Sequence, residues 1–166
     1  MAKITLQGNP IKTIGKLPKK GKKAKKFKAV ANDLSTVKLK DFKGNRLILN
    51  VFPSLDTGTC AKSVIEFNQR ASDLDNTKVL CISRDLPFAQ ARFCGAEVIE
   101  NVITLSDFNK GKFGKKYGLT IKNGPLKGLF SRAIIVLDED HNVIYTEQVS
   151  EIVNEPNYDA AIKALS

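Results

Sequence analysis

Residues 46–83 read "RLILNVFPSLDTGTCAKSVIEFNQRASDLDNTKVLCIS", and their hydrophobic period changes twice. Arg46 to Phe52 is a nearly continuous apolar run of strand length, the pattern of a strand buried on both faces. Pro53, which has no backbone N–H to give to a ladder, ends it. From there apolar residues recur as Cys60, Val64, Phe67, Ala71 and Leu74, at alternating intervals of four and three. That is one face of an amphipathic helix, with Lys62, Glu66, Asn68, Gln69 and Asp73 covering the rest. "TKVLCIS", residues 77–83, returns to strand character. Strand, helix and strand in about forty residues make a βαβ unit, which favours a parallel pair joined by a right-handed crossover.

Upstream, "KITLQGNPIKTIG" (3–15) predicts a hairpin turning at Gly-Asn-Pro. "AVANDLSTVKLKDFKGN" (29–45) predicts a short strand and a turn. Downstream, "RDLPFAQARFCGAEVIENV" (84–102) offers Asp85 as a helix cap, Pro87 in the first turn, and Gly95 near the end. "DFNKGKFGKKYGL" (107–119) predicts a short helix broken by glycines. Gly111, Gly114 and Gly118 match no phosphate-binding fingerprint, so they read as loop and cap residues. "RAIIVLDEDHNVIYTEQV" (132–149) predicts a hairpin turning at "DEDHN", and "NYDAAIKAL" (157–165) a closing helix. The order βαβ, helix, ββ, helix predicts an α/β fold with a mixed central sheet flanked by helices, and 166 residues suit one domain.

Composition narrows the function. The chain has 42% hydrophobic and 27% charged residues, as in globular proteins, and no run approaches the ~20 apolar residues of a membrane span. The N-terminus is too polar for a secretory signal, so the expected location is cytoplasmic. Residues 1–28 hold ten lysines and no acid, while residues 29–166 hold seventeen basic and seventeen acidic residues. Such a block can mark contact with nucleic acid or an anionic surface. With one aromatic, Phe27, and no arginine, the segment reads as a solvated face rather than a nucleic-acid site. Three cysteines without a CxxC pair argue against a disulfide framework and against zinc. The only histidine, His141, falls in a turn with nothing to place it beside a thiol, so any activation of a cysteine must come from elsewhere.

Cys60 lies where the amphipathic helix begins. In a first helical turn, unpaired N–H groups and the positive end of the helix dipole face the sulfur and favour thiolate over thiol. The bland alternative is a small hydrophobe in the buried stripe. Ionisation alone is insufficient. A free thiol is roughly 3% ionised at neutral pH, so complete ionisation gains only about thirtyfold. Enzymes gain roughly a millionfold or more. The site must also orient and polarise what the sulfur attacks.

Pro53, Thr57 and Cys60 form P-x-x-x-T-x-x-C, which resembles the active-site motif of peroxiredoxins. "FPSLDTGTCAKSV", "LCISRDLPFAQARFCGAE" and "NGPLKGLFSRAIIVLDE" are similar, in the same order, to the bacterial thiol peroxidase subfamily. The resemblance covers nearly the whole chain. It implies a thioredoxin-like fold over 1–166, with residues 1–15 as an N-terminal β-hairpin extension. It also implies an atypical two-cysteine peroxidase that reduces hydroperoxides without metal or cofactor. Carried over by position, Cys60 is the peroxidatic cysteine and Cys94 the resolving one. Pro53 shields the thiolate, Thr57 hydrogen-bonds thiolate and peroxide, and Arg132 supplies positive charge. Thioredoxin as reductant and a homodimer are the expected partners. The match prefers these roles for Arg132 and Cys94 over a surface arginine and a core cysteine. Cys81, among buried strand residues, reads as inert packing.

Two positions depart from the pattern. Lys25 in "GKKAKKF" stands where proline is common, although Ala24 and Phe27 can still pack in a core, and Thr59 stands where valine is common. A peroxide-sensing regulatory protein using the same cysteines is the alternative reading. Both cysteines are placed on helices, and a disulfide needs Cα atoms within about 7 Å. Oxidation is therefore expected to unwind one or both helices if the reduced protein holds them farther apart.

Overall fold

A computed structural model describes residues 1–166. The βαβ unit lies at its centre, with β5 at Arg46–Val51, α1 at Gly58–Ala71 and β6 at Thr77–Ser83. β5 and β6 pair in parallel, Leu49 opposite Leu80. Before them come β1 (Lys3–Leu6), β2 (Asn9–Lys12), β3 (Lys28–Ala31) and β4 (Thr36–Lys38), the last followed by a 3-10 turn at Leu39–Phe42. After them come α2 (Pro87–Ala96), β7 (Ile103–Ser106), α3 (Lys112–Lys116), β8 (Ala133–Leu137), β9 (Val143–Gln148) and α4 (Tyr158–Lys163). Seven strands form one mixed sheet in the order β4-β3-β7-β6-β5-β8-β9, and β1 and β2 form a separate hairpin. This is the α/β architecture with an N-terminal hairpin that the sequence led us to expect.

Alternation along the central strands divides the core into two layers. Leu47, Leu49, Val51, Leu80, Ile82, Ala133, Ile135 and Leu137 point to one face, where they meet Phe27, Phe113, Tyr117 and Phe130. Ile48, Val79, Cys81, Ile134 and Val136 point to the other, where α1 adds Cys60, Val64 and Phe67. Each such aliphatic side chain contributes roughly 1.5–3 kcal/mol on leaving water. A one-residue slip would exchange the layers, so the register is strongly specified. α1 and α4 cover the second layer, together with the Phe93–Cys94 part of α2, while α3 covers the first.

Several expectations need correction. The first hairpin turns at Gln7 and Gly8, both with positive φ, not at Gly-Asn-Pro. Such a two-residue loop matches the twist of the flanking strands. Asn9 and Pro10 therefore begin β2, with Pro10 opposite Thr5. Thr5 sends its N–H to Ser150 and accepts from Ile152 N–H instead, so the missing proline donor costs nothing there. Residues 29–45 form two strands, β3 and β4, rather than one. β7 has no counterpart in the predicted elements. Gly114 is neither loop nor cap: it lies inside α3, where a Cβ would overlap the Phe130 ring and the Thr120 hydroxyl. No helix is long and apolar enough to cross a membrane.

Candidate active site

β5 ends against Phe52 and Pro53, both buried, and the chain turns through residues 54–57 into α1. Thr57 is the N-cap of α1, which places Cys60 in the first turn with its side chain on the buried stripe. Cys60 is wholly shielded from solvent. The neighbouring Thr57 and Gly58 are exposed, so the first turn is the thin wall between the sulfur and water.

Arg132 stands immediately before β8, beside the end of β5. It is 1% exposed and heads the fully buried side chains in size, so the surface-arginine alternative does not hold. Its Nη2 donates to Cys60 Sγ at 3.3 Å and its Nε to the Ile152 carbonyl at 2.8 Å. Its own carbonyl accepts from Val149 N–H and from Gln148 Nε2. The guanidinium is thus fixed at both ends. Nη1 is buried and has no protein partner. A buried unpaired donor on a charged group is costly, and such a group is a place to look for a ligand contact.

The remaining candidates stand as follows. The Thr57 hydroxyl donates to Ser54 O at 3.1 Å and makes no hydrogen bond with Cys60 Sγ, while its oxygen lone pairs stay free to accept. Thr59 donates to Val153 O at 2.9 Å, so the hydroxyl that replaces valine ties the helix start to the 151–153 segment. Cys94 is half-buried on α2, with Sγ 3.5 Å from Thr104 Oγ1. The Thr104 hydroxyl proton goes to Asn32 Oδ1, so the Cys94 S–H is the donor of that contact. All three cysteines are free. Cys81 is wholly buried in β6. Burial pushes its thiol up to about 12, and its one polar neighbour is the Asn50 amide, 3.7 Å away. His141 is also buried, with Nε2 3.0 Å from Phe42 O, and Phe42 belongs to the core layer opposite Cys60.

Asp85 is not the cap of α2, since Leu86 holds that position. Its carboxylate instead accepts from Ser54 Oγ at 2.7 Å, Leu55 N–H at 2.8 Å and Ser83 Oγ at 2.6 Å. Ser83 Oγ in turn accepts from Gln90 Nε2, and Gln90 stands one turn before Cys94 on α2. A partly buried polar chain therefore links the loop that carries Pro53 and Thr57 to the helix that carries Cys94. Sequence reasoning missed this chain and the Ile152 carbonyl. The one signal for it was an acidic residue two positions before a proline, which reads equally well as a cap. Two surface recesses lie elsewhere, among lysines near β3 and beside residues 16–20, so the site is identified by its chemistry and not by a cavity.

Comparison with known proteins agrees with this geometry. The model of the redoxin family matches residues 19–162. A thiol peroxidase of Corynebacterium glutamicum is 52% identical over 166 residues, covering 100% of both chains. The crystal structure of a peroxiredoxin-like protein from Aquifex aeolicus superposes with a TM-score of 0.93 at 36% identity, covering 98% of this chain and 95% of that one. A thiol peroxidase from Chromobacterium violaceum superposes with a TM-score of 0.88 at 25% identity, covering 97% and 93%.

Proposed function

The chain belongs to the redoxin family, as a thiol peroxidase with a thioredoxin-like fold, and from that premise we propose that Cys60 reduces hydrogen peroxide and organic hydroperoxides in partnership with Cys94. The observation that carries the reading is the buried Arg132 guanidinium, with one nitrogen 3.3 Å from Cys60 Sγ and another left without a partner.

In this reading the Cys60 thiolate attacks the nearer peroxide oxygen. An S–O bond forms, the O–O bond breaks, and the departing oxygen leaves as an alkoxide or hydroxide that takes up a proton. Cys60 becomes a sulfenic acid. Arg132 holds the sulfur's negative charge through Nη2 and offers Nη1 to the peroxide oxygens as charge moves onto them. Its planar fork and permanent charge suit that double role. The Thr57 oxygen can accept the peroxide O–H, and Pro53 keeps water from the sulfur. These fixed dipoles supply what ionisation alone does not.

Cys94 then attacks the Cys60 sulfur as thiolate and displaces hydroxide, which leaves as water, and a disulfide forms. The two sulfurs now face different partners, Arg132 and Thr104. Both contacts must break for the disulfide to close, with local unwinding of α1 or α2. Two thiols of thioredoxin reduce the disulfide by exchange. We assign the protein to the cytoplasm, as a homodimer in antioxidant defence, with one domain spanning 1–166.

Stopped-flow peroxide consumption with thioredoxin and its reductase tests the scheme. Cys60→Ser is expected to abolish turnover, and undiminished turnover in that variant overturns it. Cys94→Ser is expected to react once, rapidly, and then stop. Amide exchange is expected to rise around residues 57–64 or 88–96 on oxidation, and equal protection in both states counts against unwinding. Slow steady-state turnover at a fast first reaction would favour the peroxide-sensing reading instead.

A further inference from the structure

Beside the β3–β4 edge of the sheet and the segment that follows β7, a recess of about 580 Å³ is lined by lysines. Lys26, Lys28, Lys38 and Lys40 reach it from β3, β4 and their flanks. The loop after β7 and helix α3 add Lys110, Lys112 and Lys116. Two parts of the chain distant in sequence, 26–40 and 110–116, thus bring cations to one place. Phe27, Ala29 and Leu39, all buried in the core layer opposite Cys60, form its floor.

None of these lysines is held in an ion pair. The four ion pairs of the molecule use Arg46, Lys62 and Arg70 as their cations. Asp107 is the single acid in the lining; it is 2% exposed, and its carboxylate accepts the Gly114 N–H. Lys116 Nζ donates to Lys26 O at 2.7 Å, which fixes one ammonium at the rim. The register adds an independent observation: Lys28 lies directly opposite Lys38 in the antiparallel β3–β4 pair. Like charges at that position destabilise a sheet. Stability is given up at an edge where any polar residue would serve.

We propose that this recess binds a small polyphosphate anion, a chain of three or more phosphoryl groups. Its volume lies within the ~300–1,000 Å³ usual for small-molecule sites. Lysine is a compact, strongly hydrated point charge that serves phosphate oxygens well. One or two ammoniums would suffice for a monophosphate, whereas cations arriving from several directions match a multiply charged chain. The recess lacks the features of a nucleic-acid groove. It has no arginine, and its one aromatic, Phe27, is buried as floor and offers no face on which a base could stack. The inference is independent of the peroxidase reading, because the recess shares no residue with the Cys60 site.

Calorimetric titration of the intact protein with sodium tripolyphosphate at low salt tests it. Tripolyphosphate is expected to bind at least tenfold more tightly than sulfate, with affinity falling as salt rises. The combined variant Lys28→Ala, Lys38→Ala, Lys112→Ala is expected to lose at least tenfold in affinity while peroxide consumption stays within twofold. Without ligand, that variant should melt higher than the parent, because the opposed ammoniums are gone. Tripolyphosphate should raise the melting temperature of the parent and leave that of the variant unmoved. Equal binding of sulfate and tripolyphosphate, or equal affinity in parent and variant, overturns the proposal. Tighter binding of a single-stranded oligonucleotide that is lost in the same variant also overturns it, in favour of nucleic acid.

Discussion

Cys60 and Cys81 lie in one apolar layer of the core, and both are wholly shielded from solvent. What separates them is the direction from which charge reaches the sulfur. Cys81 projects from the middle of a strand, where every backbone group is spent on the ladders to β5 and β7, and its one polar neighbour is an amide. Cys60 projects from the first turn of a helix, with a guanidinium 3.3 Å away. Burial by itself raises the cost of an anion and pushes the Cys81 thiol up. The same burial, once a cation is fixed alongside, strengthens the attraction between them, because little water intervenes to screen it. One low-dielectric layer therefore holds one thiol with a single amide for a polar neighbour and another beside a fixed cation, and on the proposed function only the second reacts.

The sharpest way to break this contrast is to remove the cation. Arg132→Met is expected to lower the rate of peroxide reaction at Cys60 by about 10²–10³, the scale of losing a fixed transition-state donor, as measured by stopped flow. Arg132→Lys should recover only part of that loss, since one ammonium cannot reach the sulfur and the peroxide together. An Arg132→Met enzyme as fast as the parent would mean that the helix start alone distinguishes the two cysteines. A smaller effect is expected from Asp85→Asn, which weakens the hold on Leu55 N–H and Ser54. The peroxide reaction should slow by roughly tenfold, for the loss of about one charged hydrogen bond, while disulfide closure should become faster. A change in stability alone would move neither phase in that opposed manner.

Two further predictions concern Cys81. Below about pH 9, iodoacetamide should label the native protein without modifying Cys81, as read by peptide mass mapping. Cys81→Ala should leave peroxide turnover within about twofold and cost roughly 1–2 kcal/mol in denaturant unfolding. The pH dependence has a definite sign. Folding raises the Cys81 pKa from an ordinary 9.0 to about 12, so the folded state disfavours the thiolate. The stability gained from a neutral Cys81 is complete below about pH 9 and is lost as pH rises toward about 12. The parent should therefore lose stability over that window faster than Cys81→Ala does.

Much of this contrast was legible in the chain because it is local. The switch from a continuous apolar run to intervals of four and three marks β5, α1 and β6, and the Thr57–Cys60 spacing puts the thiol in a first turn. What the residues alone do not carry is long-range. Arg132 lies 72 residues from Cys60, and without the resemblance to peroxiredoxins a single arginine before a strand reads as surface. Asp85 reaches back about thirty residues to Ser54 and Leu55, so its neighbours in sequence suggested a cap that the folded chain does not use. β7 is four residues long and takes its identity from its position between β3 and β6, which no local pattern records. The lysine block likewise read as a solvated segment. Only the fold shows that Lys26 and Lys28 join Lys38 and Lys40 and the distant lysines of 110–116 around one recess.

The short segment after β9 divides its labour residue by residue. The Glu151 carboxylate accepts from Thr5 and from the Gln7 and Gly8 N–H groups of the first hairpin, the Ile152 carbonyl holds Arg132, and the Val153 carbonyl holds Thr59. Three consecutive positions thus serve a peripheral hairpin, the buried cation and the head of the reactive helix. A substitution in the hairpin can therefore be felt at the sulfur without touching it. Over evolutionary time, Thr5, Glu151 and Thr59 should change together across relatives, as a set inherited or lost as one.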